Sequence, residues 1–168
     1  DTKKFHEEFG NKLNKLSANQ LFTAIKKYEE ISEEIGKISS FAYLVYASDL
    51  SNQKHISFYQ NTNEKLSKFE SQLIFFTLEL NKIDDKKINE FLKKSKDLKK
   101  YQPFIRDSRT FRKYQLSNDL EKLSLEKNIS GRSAFVRLFD ETVNNLKFSY
   151  RSKTLNSQEI FNLMSSSD

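Results

Sequence analysis

Two histidines, at positions 6 and 55, are the first residues to weigh for metal or proton chemistry. His6-Glu7-Glu8-Phe9-Gly10 opens like the zinc motif H-E-x-x-H. That motif needs a second imidazole one turn further along the same helix face, with the Glu as general base. Position 10 is glycine, so the second ligand is missing, and His6 and Glu7 read as a charged helix start. His55 reads as a partly exposed residue near the start of another helix. The acid pairs Glu29-Glu30 and Glu33-Glu34 are the next candidates, since paired carboxylates can do acid–base work. They lie three or four residues from Lys26 or Lys37 in a helical pattern, which makes them a solvated, ion-paired face. There is no cysteine, which excludes disulfides, thiolate metal sites and Cys nucleophiles. No Gly-rich phosphate loop, G-x-S-x-G elbow or Ser/His/Asp arrangement is present. No catalytic residue and no metal ligand can therefore be assigned within these residues.

The aromatic residues are the other chemically interesting set. There are 15 Phe and 7 Tyr but no Trp, more rings than one helical seam requires. Phe41, Tyr43, Tyr46, Phe58 and Tyr59 fall close to one turn between two long helical patterns. An aromatic-rich core is one explanation. A second is that Tyr43, Tyr46 and Tyr59 line a groove, offering apolar faces and hydroxyls to an extended peptide. Stacking of nucleic-acid bases is a third.

The frame that must position these residues is helical. The chain has 168 residues, the size of one domain, and is read as a single helical domain, 1–168. Three Gly and one Pro are too few for the many turns a sheet protein needs. Charged residues make up 31% and hydrophobic residues 36%, which suits helices with one apolar stripe and a charged outer face. No apolar run approaches the length of a membrane span, no signal peptide is visible, and no membrane partner is expected. The lack of cysteine fits a reducing cytoplasm. The first residue is Asp1, not Met, which raises the expectation that the chain is a piece of something longer. Net charge is +6 from 29 basic and 23 acidic residues, which makes nucleic acid a partner to consider. The basic residues are interleaved with acids, however. The densest group, Lys93, Lys94, Lys96, Lys99 and Lys100, follows one side of a helical pattern and reads as solvated, so no nucleic-acid partner is expected.

Phe5, Phe9, Leu13 and Leu16 predict a first helix over about 2–16, weakened at Gly10. Ser17 and Gln20 form an S-x-x-Q capping box. It opens a helix to about residue 50, with Gly36 marking a close backbone approach or a bend. Ser51 is a plausible next N-cap, and Tyr59, Thr62, Leu66, Phe69, Leu73, Phe76 and Leu80 give the third helix a seam spaced by threes and fours. The two long helices should form an antiparallel αα-hairpin. Shorter helices follow, capped by Asp84 or Asp85, by Ser95 with Pro103 in its course, and by Ser117. Residues 128–131 form a weak spot before a helix carrying Phe135, Leu138, Phe139, Val143 and Leu146. Residues 147–152 alternate polar and aromatic, which predicts one short strand that needs a partner, inside or outside the chain. Asn156 and Glu159 cap a last helix from Ser157. The fold class is all-α: an elongated helical bundle built on a long antiparallel αα-hairpin, with one short strand near 147–152.

The order of these pieces resembles the N-terminal region of the oligoendopeptidase F family, zinc metallopeptidases of the thimet-oligopeptidase clan. The likeness rests on Leu16-Ser17-Ala18-Asn19-Gln20-Leu21-Phe22 followed by Tyr28-Glu29-Glu30-Ile31, and on Tyr43-Leu44-Val45-Tyr46-Ala47-Ser48. It also rests on Ala134-Phe135-Val136-Arg137-Leu138-Phe139-Asp140-Glu141-Thr142, similar to a W-x-R-L-F-D-E helix with Phe135 near the usual Trp. Leu146-Lys147-Phe148, the capped stretch Leu155 to Met164, and Ser166-Ser167-Asp168 follow in the family's order. None of these motifs is catalytic.

The resemblance implies that the H-E-x-x-H helix, the third zinc ligand and the transition-state-stabilising residues lie in a catalytic domain absent from this chain. Zinc is expected there, and no cofactor here. This lobe would wall one side of a channel for short peptides, with its own catalytic domain as partner. The strand at 148–150 and the last helix would then pack on missing sequence. The alternative is a stand-alone helical protein–protein interaction module without enzymatic activity.

Overall fold

The computed structural model describes residues 1–165, and the Ser166-Ser167-Asp168 likeness lies outside them. Ser17 opens the fold's main element as the sequence predicts. Its hydroxyl accepts from Gln20 N (3.4 Å) while Gln20 Oε1 accepts from Ser17 N (2.9 Å). From this box α2 (Ala18–Ser48) runs for 31 residues, roughly 46 Å at 1.5 Å per residue. A tight turn returns the chain into α3 (Gln53–Lys82). The cap of α3 is Asn52, whose side chain accepts from Lys54 N at 3.0 Å, and not Ser51. Ser51 instead donates twice to Asp49, so that its hydroxyl is spent inside the turn.

The core lies at the base of this hairpin. Leu21, Ala24 and Ile25 of α2 meet Leu73, Phe76 and Leu80 of α3, all buried. Tyr28 stacks on Phe76 at 4.7 Å, and Phe5 packs against Phe9, Phe75 and Phe76 at 5.1–5.7 Å. Each such side chain contributes roughly 1.5–3 kcal/mol when fully buried.

The first helix is shorter than expected. α1 covers Thr2–Phe9, and Leu13–Lys15 form a separate 3₁₀ turn. The reason is local. The chain leaves the helix at Gly10, whose extended ψ of 131° would put any Cβ 2.6 Å from the His6 carbonyl. Asn11 then takes a left-handed φ of 59°. Glu79 of α3 accepts from Asn11 N (2.6 Å) and Leu13 N (3.3 Å) and holds this turn in place.

Beyond α3 come α4 (Asp85–Lys94), α5 (Lys96–Lys100) and α6 (Gln102–Thr110). Asp84 and Ser95 cap α4 and α5. The single helix predicted from Ser95 onward is divided at Tyr101, with Pro103 in the first turn of α6, where a missing N–H is harmless. Arg109 from α6 donates to the carbonyls of Leu80 and Ile83 (2.6 Å each) and to Asp85 (2.5 Å), closing the end of α3.

α7 (Asn118–Asn128) lies along α3, capped by Ser117. The expected weak spot is a π-helical turn, Ile129–Ser133, kinked at Gly131, which leads into α8 (Ala134–Asn145). Gly36 has open space where a Cβ would stand, so no close approach explains it. The strand's partner is inside the chain. β1 (Phe148–Tyr150) pairs antiparallel with β2 (Lys153–Leu155), and Arg151 and Ser152 both take positive φ in a two-residue turn. α9 (Ser157–Ser165) follows, under the reciprocal Asn156/Glu159 cap (2.7 and 2.9 Å). The all-α class stands.

Candidate functional site

The last turns of α2 and the first turns of α3 bring Tyr43, Tyr46 and Tyr59 together. Tyr46 and Tyr59 stack at 4.8 Å and 14°. Tyr43 meets Tyr59 at 6.1 Å and 63°, and Tyr46 at 6.4 Å. Tyr46 is 2% exposed, Tyr59 is half-buried and Tyr43 is exposed at the rim. The hydroxyl of Tyr46 is buried without a hydrogen-bond partner among the described residues. Burial above all pushes this phenol up to about 12, and the charges of Asp140 and Glu141 add to it while Arg137 opposes them. Phe41 and Phe58 form a separate, exposed edge-to-face pair at 6.2 Å.

The acids that act on Tyr46 belong to α8, and α8 lies opposite to what its pattern suggests. Hydrophobic periodicity alone would turn its stripe of Phe135, Leu138 and Phe139 toward a core. Phe135 is instead 70% exposed and Phe139 66%, with Val136 and Leu138 exposed beside them. The more covered positions are Ala134, Arg137, Asp140, Glu141, Val143 and Asn144. Arg137 Nε stands 3.6 Å from Glu141 Oε1, which is buried and makes no hydrogen bond. The polar face of the helix is thus turned inward and its apolar face outward. Ser157 holds the far end, donating to the Val143 carbonyl at 3.2 Å.

Between α3, the π turn and the start of α8 lies a polar cleft of about 490 Å³. Tyr59, Gln60, Asn63, Glu64, Ser67 and Glu70 supply its α3 wall, and Asn128, Ser133 and Arg137 stand opposite. Burial raises the Glu70 carboxyl above its ordinary range. Of the three tyrosines only Tyr59 lines the cleft. Tyr46 lies behind it in the stack. The cleft's other residues were not legible, because Gln60, Glu64, Ser67 and Glu70 look like any solvated helix face until the π turn is placed against them.

Residues 79–148 match the family model described as Oligopeptidase F. The chain is also similar in fold to the crystal structure of oligoendopeptidase-F from Enterococcus faecium, with a TM-score of 0.80 and 20% identity. That likeness covers 99% of this chain and 33% of the other, so the chain spans about a third of that protein's length. No curated protein sequence matches. The segment matched to oligopeptidase F runs from the end of α3 to the first residue of β1. It therefore includes the π turn, Arg137, Asp140, Glu141 and the outward face of α8.

The oligopeptidase F name raises the question of zinc, and the donor set here does not fit it. His6 packs edge-on against Phe75 at 4.5 Å. His55 faces the Ser48 hydroxyl at 3.4 Å, far along the chain from His6. Among the described residues no three His, Cys, Asp or Glu side chains gather as a metal would require. The lysines of the basic stretch are exposed, and Lys94 and Lys100 pair with Glu90 (3.7 Å) and Asp97 (2.8 Å). Lys26 and Lys37 pair with Glu30, Glu33 and Glu34 at 2.9–3.8 Å. Glu29 instead accepts from the Tyr101 hydroxyl at 2.5 Å, which tethers the junction of α5 and α6 to α2. No helix among the described residues is long and apolar enough to cross a membrane.

Proposed function

We propose that this chain is the non-catalytic N-terminal lobe of a zinc-dependent oligoendopeptidase, and that it walls one side of a channel for short peptides. The observation that carries the reading is the orientation of α8. A helix with Phe135, Leu138 and Phe139 turned to water exposes apolar area that a soluble surface does not keep without a partner. The partner proposed is the lobe's own catalytic domain, which corresponds to sequence outside this chain. Hydrolysis belongs to that domain, where zinc activates a water. The tyrosine rim and the polar cleft face the peptide. Tyr43 and Tyr59 supply apolar faces and hydroxyls, and Tyr46 keeps Tyr59 in place by stacking. A chain without cysteine suits a reducing cytoplasm, where we place the protein.

The test is whether α8's face is wet in this chain and covered in a longer one. The 168-residue chain should enhance the fluorescence of a hydrophobic dye. Replacing Phe135 and Phe139 by Ser and Leu138 by Gln should remove most of that signal with little change in melting temperature. Extending the chain through its downstream reading frame should remove it as well. Undiminished dye binding in the extended protein would contradict the interface.

The exposed Phe41–Phe58 pair at the hairpin tip favours a second reading, a helical protein–protein interaction module. On that reading Phe41→Ser with Phe58→Ser, and not the α8 substitutions, abolishes association.

A further inference from the structure

The polar cleft holds more hydrogen-bonding capacity than the fold uses. Ser67 is 7% exposed and lines the cleft, yet its hydroxyl has no hydrogen-bond partner among the described residues. Glu64 and Glu70 flank it on the same face of α3, three residues to either side. Neither lies within ion-pairing distance of a Lys or Arg among the described residues. Arg137, the cation on the opposite wall, faces Glu141 of its own helix instead. This wall is acidic in a chain whose net charge is +6, so its sign does not follow the surface average. Helical rise places each carboxylate's Cα roughly 4.5 Å along the axis from Ser67. The backward tilt of helical side chains leans Glu70 toward Ser67.

Two carboxylates and one hydroxyl oxygen put three acceptors on one wall of the cleft. An ammonium group is three donors and no acceptor. We propose that the cleft binds the primary ammonium group of a peptide, with Glu64, Ser67 and Glu70 each accepting one of its N–H bonds. Gln60, Asn63 and Asn128 line the same cleft and supply amide donors and acceptors to the peptide's main chain. Tyr59 offers its ring edge and hydroxyl beside them. The inference rests on the channel-wall reading for its occupant, a peptide, and adds the chemical group that is recognised.

The ammonium can come from a peptide's amino terminus or from a lysine, and three probes separate them. They are a carboxamidated Gly/Ala pentapeptide with a free amino terminus, its N-acetylated counterpart, and the acetylated peptide with one central lysine. Titration calorimetry on the 168-residue chain should give binding for the first and at least tenfold weaker binding for the second. Recovery with the third assigns the lysine ammonium as an accepted source, and no recovery restricts the site to the terminus. The ammonium assignment stands in both cases. Glu64→Gln with Glu70→Gln should weaken the free-amine peptide at least tenfold. Ser67→Ala should weaken it several-fold, with melting temperatures showing that the variants fold. Equal affinity for free and acetylated peptides, no binding of any peptide at millimolar concentration, or an unchanged affinity in the double variant overturns the proposal. If peptides bind without regard to the amine, the ammonium site falls and the channel wall survives. If the downstream frame encodes no H-E-x-x-H, the lobe reading falls and the amine result survives.

Discussion

Replacing Arg109 by Ala should cost this fold roughly 3 kcal/mol, since two buried charge-assisted hydrogen bonds at about 1.5–3 kcal/mol each are only partly replaced. The side chain is 10% exposed and donates to the carbonyls of Leu80 and Ile83, both on residues with no exposed surface. These carbonyls end α3, where intrahelical donors run out. Leu80 O keeps only a long contact from Ile83 N at 3.4 Å. The Asp85 contact is left out of the figure because Asp85 is exposed to solvent. For a chain of this length about 3 kcal/mol corresponds to a fall of roughly 6–12 °C in Tm. Urea denaturation followed by far-UV circular dichroism measures it. Arg109→Lys should recover less than half, because an ammonium cannot reach two carbonyls with a planar fork. The Arg109 guanidinium also holds the Asp85 carboxyl below its ordinary range, with a smaller effect from Arg112. A depressed carboxyl stabilises above its unfolded pKa, and that share is lost as pH falls through the folded value. The gap between wild type and Arg109→Ala should therefore narrow in acid. A loss below about 0.5 kcal/mol, the usual range for a surface change, or a Lys variant equal to wild type would refute this account of the end of α3.

Three further outcomes are expected. Tyr46→Phe removes a buried hydroxyl that has no partner, so it should leave Tm unchanged or raised; a fall of several degrees would mean that the hydroxyl is paired in solution. Glu70→Gln should raise Tm at pH 7. The carboxyl's raised pKa means that ionisation costs stability as pH rises through the folded value, and the gain should vanish below the unfolded value, where both forms are neutral; thermal melts at the two pH values check this. Arg151→Asn with Ser152→Gly should stabilise the β1–β2 hairpin, because both positions carry positive φ (44° and 67°); slower amide exchange at Tyr150 and Lys153 would show it.

Much of the helical frame could be read because its signals are local. Ser17/Gln20, Asp84, Ser95, Ser117 and Asn156/Glu159 cap helices where their side chains can reach backbone N–H groups two or three residues on. The end of α1 was missed because the Glu79 clamp on Asn11 and Leu13 is a contact with α3, nearly 70 residues away. The β1–β2 pairing was missed because Arg-Ser is not a turn sequence that advertises positive φ. The tyrosine cluster was legible as neighbours around one turn. Its relation to Asp140 and Glu141 was not, because hydrophobic periodicity places Phe135, Leu138 and Phe139 inward and the fold places them outward. A pattern of that kind identifies an amphipathic helix but not which of two partners covers its apolar face. Arg109 was invisible for a similar reason, since one arginine among 29 basic residues carries no mark of the carbonyls it meets.

The central claim, that this chain is the wall of a peptidase and not its catalyst, is tested most directly by peptide hydrolysis with added zinc. The assay compares the 168-residue chain with the product of its full downstream reading frame on a nine-residue peptide. The account predicts no cleavage by the chain alone. It predicts zinc-dependent cleavage by the longer protein, whose added sequence should encode H-E-x-x-H. A stop codon close behind Asp168, or cleavage by the 168-residue chain itself, would contradict it.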